Sequence, residues 1–215
     1  MRPVLPVLVM VLLAGCGGPA PIEPMEDDGA GALVLRGVGH YRDTIGYLHL
    51  VGEVENRGAD ALAVQVEARL LDAAGADAGT TFTYACLPLV PAGGRSGFRV
   101  DVQDKDAAVA DWVLSPVPGA SGAVLELPVT GTARLDSLGH ERVAGTVTNP
   151  GPGAAVGVKV CATFLLEDGT VGDVASAATD PRDLGPGATA AFEARALRDA
   201  APFAERRLAA QGADA

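Results

Sequence analysis

The chain has 215 residues, 16 Lys plus Arg against 27 Asp plus Glu, and a formal net charge of −11; 48% of it is hydrophobic and only 4% aromatic. An acidic chain lacks the basic footprint that nucleic acid or an anionic membrane surface attracts, so neither is an expected partner. The charges are dispersed apart from Glu26-Asp27-Asp28, and the acidity reads as solubility.

The chain opens with Arg2 and then an apolar run from Val4 to Leu13, broken only by Pro6. The run is too short for a membrane span, which needs roughly 20 apolar residues. A short apolar run followed by small residues predicts a signal peptide over residues 1–15. Leu13-Ala14-Gly15-Cys16 resembles the lipobox of bacterial prolipoproteins. The resemblance implies cleavage before Cys16, with diacylglycerol on its sulfur. Stable anchoring needs at least two acyl chains, and a lipoprotein cysteine supplies them. Gly17 rather than Asp follows Cys16, which by analogy does not favour inner-membrane retention. The expectation is an exported protein, lipid-anchored in the cell envelope at the outer membrane or cell surface. Residues 16–32, rich in Gly, Pro and Ala, read as a flexible tether.

The remainder contains an internal repeat, the first feature to seek in such a chain. Gly52-Glu53-Val54-Glu55-Asn56 returns as Gly145-Thr146-Val147-Thr148-Asn149, and the stretch from Val64 to Gly75 returns as Val158 to Gly169. The Asn positions are 93 apart and the glycines Gly75 and Gly169 are 94 apart, so one residue is expected as an insertion in the intervening loop. Pro91 to Phe98 and Pro186 to Phe192 correspond, as do Asp106-Ala107-Ala108 and Asp199-Ala200-Ala201. Within each copy the apolar period is two: Val64, Val66, Ala68 and Leu70, then Val158, Val160, Ala162 and Phe164. That alternation predicts half-buried strands. Short strands between Gly, Pro, Asn and Asp turns predict an all-β chain, two tandem immunoglobulin-like antiparallel β-sandwiches at residues 33–116 and 122–209. Asp168-Gly169 signals a hairpin. Near Asp199 to Gln211 the pattern fits a short helix or a last strand.

Gly-x-Val-x-Asn, then Val-x-Val-x-Ala-x-[Leu/Phe]-Leu, then a Pro-Gly turn and Phe, resembles the FxLYD domain of bacterial and archaeal surface proteins. The second copy departs from the first with Leu166 where that has Asp72. The same residues resemble the CARDB cell-adhesion-related domains as a second family. Either resemblance implies an immunoglobulin-like sandwich and no particular activity.

No pattern demands a chemistry. His40, His49 and His140 lack metal-ligand spacing and read as surface or packed residues, so no metal is expected. Ser96, in Gly94-Arg95-Ser96-Gly97, reads as turn chemistry, since it sits in no nucleophile elbow. No phosphate loop or dinucleotide fingerprint occurs, and no cofactor or catalytic residue is expected. Asp168 to Asp173 lacks the alternating ligands of a calcium loop. Trp112 reads as the seal of a core edge or of the junction between modules.

With Cys16 committed to lipid, Cys86 and Cys161 remain, in a compartment that permits disulfides. Cys86 follows Phe82 and Tyr84 on one strand face, which suggests the core. Cys161 alternates with Val160 and Ala162, which suggests the outer face. Opposite facings disfavour a bond, although pairing stays open; the alternatives are a buried inert Cys86 and a partner-facing Cys161. The resulting expectation is a membrane-anchored, non-enzymatic binding, presenting or spacer module for another envelope protein or polymer. The alternatives are a solute-binding lipoprotein or an envelope enzyme with a loop-borne site, and a deep polar pocket would favour them.

Overall fold

Inward-facing valines and phenylalanines at period two build the chain into sheets. The computed structural model describes residues 32–102, 109–199 and 203–215. The expected leader and the expected tether up to residue 31, with Cys16, and the repeat marks at 106–108 and 200–201 lie outside the described residues. The described residues form thirteen strands and no helix. The first half holds β1 (Leu33–Arg42), β2 (Leu48–Asn56), β3 (Leu62–Leu71), β4 (Asp77–Tyr84), β5 (Arg95–Val102) and β6 (Asp111–Ser121). The second holds β7 (Leu125–Leu127), β8 (Val129–Leu135), β9 (His140–Thr148), β10 (Ala155–Leu165), β11 (Val171–Ala178), β12 (Thr189–Asp199) and β13 (Glu205–Asp214).

The sheet orders are β1-β2-β5 and β4-β3-β6 in the first half, and β12-β9-β8 and β11-β10-β13-β7 in the second. Every pairing is antiparallel. Strands β8 to β13 therefore repeat β1 to β6 one for one, and β7 is an addition on the edge of β13. The architecture is all-β, with antiparallel sheets packed as immunoglobulin-like sandwiches.

In β3, Val64, Val66, Ala68 and Leu70 are buried while Gln65, Glu67 and Arg69 face outward. Val66, Ala68 and Leu70 meet Phe98 and Val100 of β5 in one core, while Val64 packs with Val54 and Val90 beside it. In the second core, Val160, Ala162 and Phe164 meet Phe192, and the rings of Phe164 and Phe203 lie 5.1 Å apart. Each fully buried phenylalanine contributes about 1.5–3 kcal/mol.

The residue that lengthens the second copy lies within β10, not in a loop. The register of β10 against β13 slips between Val156 and Lys159, and Gly157 there has φ 64°. Glycine takes that left-handed backbone freely, so the extra residue is absorbed as a bulge.

The equivalent asparagines make the same corner twice. Asn56 Nδ2 donates to the carbonyls of Asp60 (2.7 Å) and Val90 (2.9 Å), and its Oδ1 accepts from Gly58 N–H. Asn149 Nδ2 donates to Gly153 (2.8 Å) and Leu184 (2.9 Å), and its Oδ1 accepts from Gly151 N–H. Both are fully buried. Each side chain thus serves as turn residue and as staple between two loops.

The strands overrun the expected limits. β6 continues to Ser121, because Pro116 and Pro118 still stand opposite Val66 and Val64. An edge strand tolerates proline, which is why Pro116-Val117-Pro118-Gly119 looks like a linker in sequence. The Ala- and Arg-rich tail is the strand β13, paired with β10 as far as Asp214, and not a helix.

Candidate functional site

Alternation that sends Leu50, Phe98 and Val100 into the first core sends His49, Val51, Glu53, Gly97, Arg99 and Asp101 to the outer face of the β1-β2-β5 sheet. The outer face of β11-β10-β13 lies directly on them. A Cβ added at Gly97 would stand 2.7 Å from Thr163 Oγ1 and 2.8 Å from a Val174 methyl, and one at Gly39 would stand 2.6 Å from the Val171 carbonyl oxygen. Glycine is needed here for close approach of two sheets, not for an unusual backbone.

This contact explains why sequence alternation misplaces Cys161. Cys161 and Thr163 do point away from the second core, yet they are buried, because the first half covers them. Cys86 is also misread: Phe82 and Tyr84 are 56% and 64% exposed, so their face is the solvent side rather than the core. Beyond Tyr84 the chain crosses over, and Cys86 N–H donates to the Gly97 carbonyl. Cys86 and Cys161 then meet at the junction as a disulfide, with Cα atoms 5.7 Å apart. Two outer faces pressed together satisfy the geometry that opposite facings within one core would forbid. Tyr41, Val51, Leu87, Val171 and Val174 pack around the bond.

Beside the disulfide runs a polar network that crosses the junction. Asp173 of β11 is fully buried. Its Oδ1 accepts from the Tyr41 hydroxyl (3.2 Å) and from Arg99 Nη1 (3.3 Å). Its Oδ2 accepts from the backbone N–H groups of Leu197 (2.5 Å) and Arg198 (3.0 Å). Arg99 Nη1 also donates to the Val174 carbonyl. The Tyr41 ring stacks on His49 at 4.6 Å, and His49 lies between Asp101 (2.7 Å) and Asp43 (3.3 Å).

The network sets its own protonation. Burial first, then the Asp173 carboxylate, pushes the Tyr41 hydroxyl far above its usual value, so it stays protonated as a donor. The hydrogen bond to Asp101 raises His49, against burial. Burial opposes ionisation of Asp101, but the His49 hydrogen bond and the Arg99 charge bring it below the usual carboxylate range.

A second ion cluster closes the other side. Arg207 Nη1 of β13 donates to Glu53 at 2.8 Å, and Arg95 approaches the same carboxylate at 3.7 Å. Two adjoining cavities flank this cluster, of about 210 and 190 Å³. They share Leu87, Arg95, Leu208 and Ala209 as walls. Gln211, at the end of the larger one, accepts from Leu89 N–H across the junction at 3.3 Å.

The remaining candidates have ordinary surroundings. Ser96 is a buried strand residue of β5 and not a turn residue; its Oγ accepts from Leu87 N–H and helps hold the Cys86 loop. Trp112 packs at the edge of the first core, edge-on to His40 at 4.7 Å. His140 opens β9. Asp168 and Gly169 form the β10–β11 turn, where Asp168 accepts from Thr170 N–H. Among the described residues, no group of three or more His, Cys, Asp or Glu is placed to hold a metal. The sequence brings Asp173 forward only as the end of a calcium-loop candidate, and it does not mark Tyr41, Glu53, Arg99 or Arg207 as site residues. One signal was present: Asp173 shares a period-two face with Ala175 and Ala177, where an acid is out of place.

No family model matches the chain, and no curated protein matches it. A crystal structure of red sea bream transglutaminase is similar over 86% of this chain and 29% of that one, at 16% identity and a TM-score of 0.27. The chain spans under a third of that enzyme's length.

Proposed function

We propose that the chain is an exported lipoprotein, anchored to a membrane of the cell envelope through Cys16, whose two FxLYD-like sandwiches form a non-enzymatic binding, presenting or spacer module for another envelope protein or polymer. The observation that carries this reading is the Cys86–Cys161 disulfide. Such bonds persist outside the reducing cytoplasm, which agrees with the lipobox at Leu13 to Cys16.

The polar groups of the junction support a structural rather than a catalytic role. His49 is only 5% exposed and is held by two carboxylates, so its ring nitrogens are already committed. The cavities lie below the roughly 300 Å³ at which small-molecule sites begin, which weighs against a solute-binding or enzymatic reading.

The test replaces Cys16 with Ala in the native host and follows the chain by membrane fractionation. The expected result is release from the membrane or accumulation of unprocessed precursor. Unchanged, detergent-extractable membrane attachment of the variant overturns the reading.

A further inference from the structure

The two halves are joined by three residues, Gly122 to Val124, between β6 and β7. Each half keeps its own apolar core. Between them lie a small apolar patch, two buried carboxylates, Asp173 and Glu53, and ion pairs to Glu53 from Arg95 and Arg207, which are 45% and 41% exposed at the rim. Interfaces of this kind within a chain move by default, unless they are large and apolar. Exposed ion pairs add little, and a buried one roughly cancels its own desolvation.

We infer that the Cys86–Cys161 disulfide is a lock on a hinge: oxidised, it holds the two sandwiches face to face, and reduced, it lets them swing apart about Gly122–Val124 with both cores intact. The bond belongs to the apolar patch itself, with Leu87 and Val174, and it ties the two faces to each other covalently. Both cysteines are nearly buried, at 7% and 3% exposure. A reductant therefore reaches the sulfurs only after a partial opening, so the lock is shielded by the contact that it secures.

The lock belongs to this junction alone. By register, Cys86 corresponds to Asp180, since Cys86 N–H donates to Gly97 and Asp180 N–H donates to Ala191. Cys161 corresponds to Glu67, as Cys161 stands opposite Ser176 and Glu67 opposite Phe82. Repeating the junction with a further sandwich of this kind would set acid against acid. The close approach at Gly97 would also meet the methyl of Ala191.

Release is a dithiol–disulfide exchange. A thiolate of the reductant attacks one sulfur and expels the other cysteine as a thiolate. The second thiol of the reductant then resolves the mixed disulfide. Two cysteine thiols and one oxidised dithiol result, and two electrons pass to the protein.

The experiment uses the full chain in detergent, with dithiothreitol as the reductant. Small-angle scattering compares the oxidised chain with the Cys86→Ser/Cys161→Ser variant. The expected result is a longer maximum dimension and a broader distance distribution in the variant, with the β-sheet circular dichroism retained. A second measurement follows dithiothreitol reduction of the Cys86–Cys161 bond. Tyr41→Phe, which removes one hydrogen bond across the junction, should speed it by about five- to tenfold. Superimposable scattering from the two folded proteins overturns the inference. So does loss of folding in the variant, because both cores must stand without the bond. An unchanged reduction rate in Tyr41→Phe overturns the shielding. None of these outcomes bears on membrane attachment, so failure here is distinct from failure of the lipoprotein reading.

Discussion

Tyr41 of the first sandwich donates its hydroxyl to Asp173 of the second, at 3.2 Å and out of contact with water. Asp173 also receives Arg99 and three backbone N–H groups, those of Val174, Leu197 and Arg198, so its charge is fully met. Asp173→Asn leaves Arg99 and those donors without their anion. It should cost about 3 kcal/mol, as removal of one partner from a buried pair does. Tyr41→Phe should cost about 1 kcal/mol. Urea unfolding of the oxidised chain checks both, and a smaller loss for Asp173→Asn than for Tyr41→Phe contradicts the placement of the charge.

His49 gives the junction a pH dependence of definite sign. Its hydrogen bond to Asp101 holds its folded value above 6.5. A raised folded value means that the contribution is complete below about pH 6.5 and fades as pH rises through the folded value. Asp101 and Asp43 have lowered values, so their contribution is present above the usual carboxylate range and fades as pH falls through it. Urea midpoints should therefore decline on both sides of a mildly acidic plateau. In His49→Gln the alkaline decline should flatten. A variant whose alkaline decline matches that of the native chain rules out His49 as its source.

The paired asparagines predict a duplicated effect. Asn56→Ala and Asn149→Ala each remove one acceptor and two donors from a buried corner. Each should cost about 2–3 kcal/mol, mostly from carbonyls left without partners. The two sites share no contact, so the double variant should show the sum. Calorimetry of the single and double variants decides this.

Much of this architecture is written in short-range pattern. Val64 to Leu70 and Val158 to Phe164 show their faces by alternation, and Asn56 and Asn149 mark equivalent corners. The junction is less legible because it is a contact between outer faces. Alternation says that Cys161, Thr163, Glu53 and Arg99 leave their own core, but not what covers them. Gly39 and Gly97 mark the close approach, yet glycine in a strand is equally consistent with a bulge. Asp173 breaks a core pattern without naming Arg99, which is 74 residues away.

Those two glycines supply a steric prediction. At Gly97 a methyl would press on Thr163 and on both methyls of Val174, a stiff β-branched side chain. Gly97→Ala should cost about 1–3 kcal/mol through strain at the junction. Gly185 has open space around its Cβ position, so Gly185→Ala is the control and should change little. Equal losses in the two variants contradict the close contact of the sheets.

The proposed lipid anchor at Cys16 and the proposed lock at Cys86 and Cys161 can be read in one sample. Intact mass spectrometry of the chain extracted from its native host, with and without prior reduction and alkylation, tests both together. The account predicts a chain that begins at a lipid-bearing Cys16 and takes up two alkyl groups, on Cys86 and Cys161, only after reduction. A chain that still carries Met1 to Gly15 without lipid, or free thiols at Cys86 and Cys161 in the unreduced protein, would contradict it.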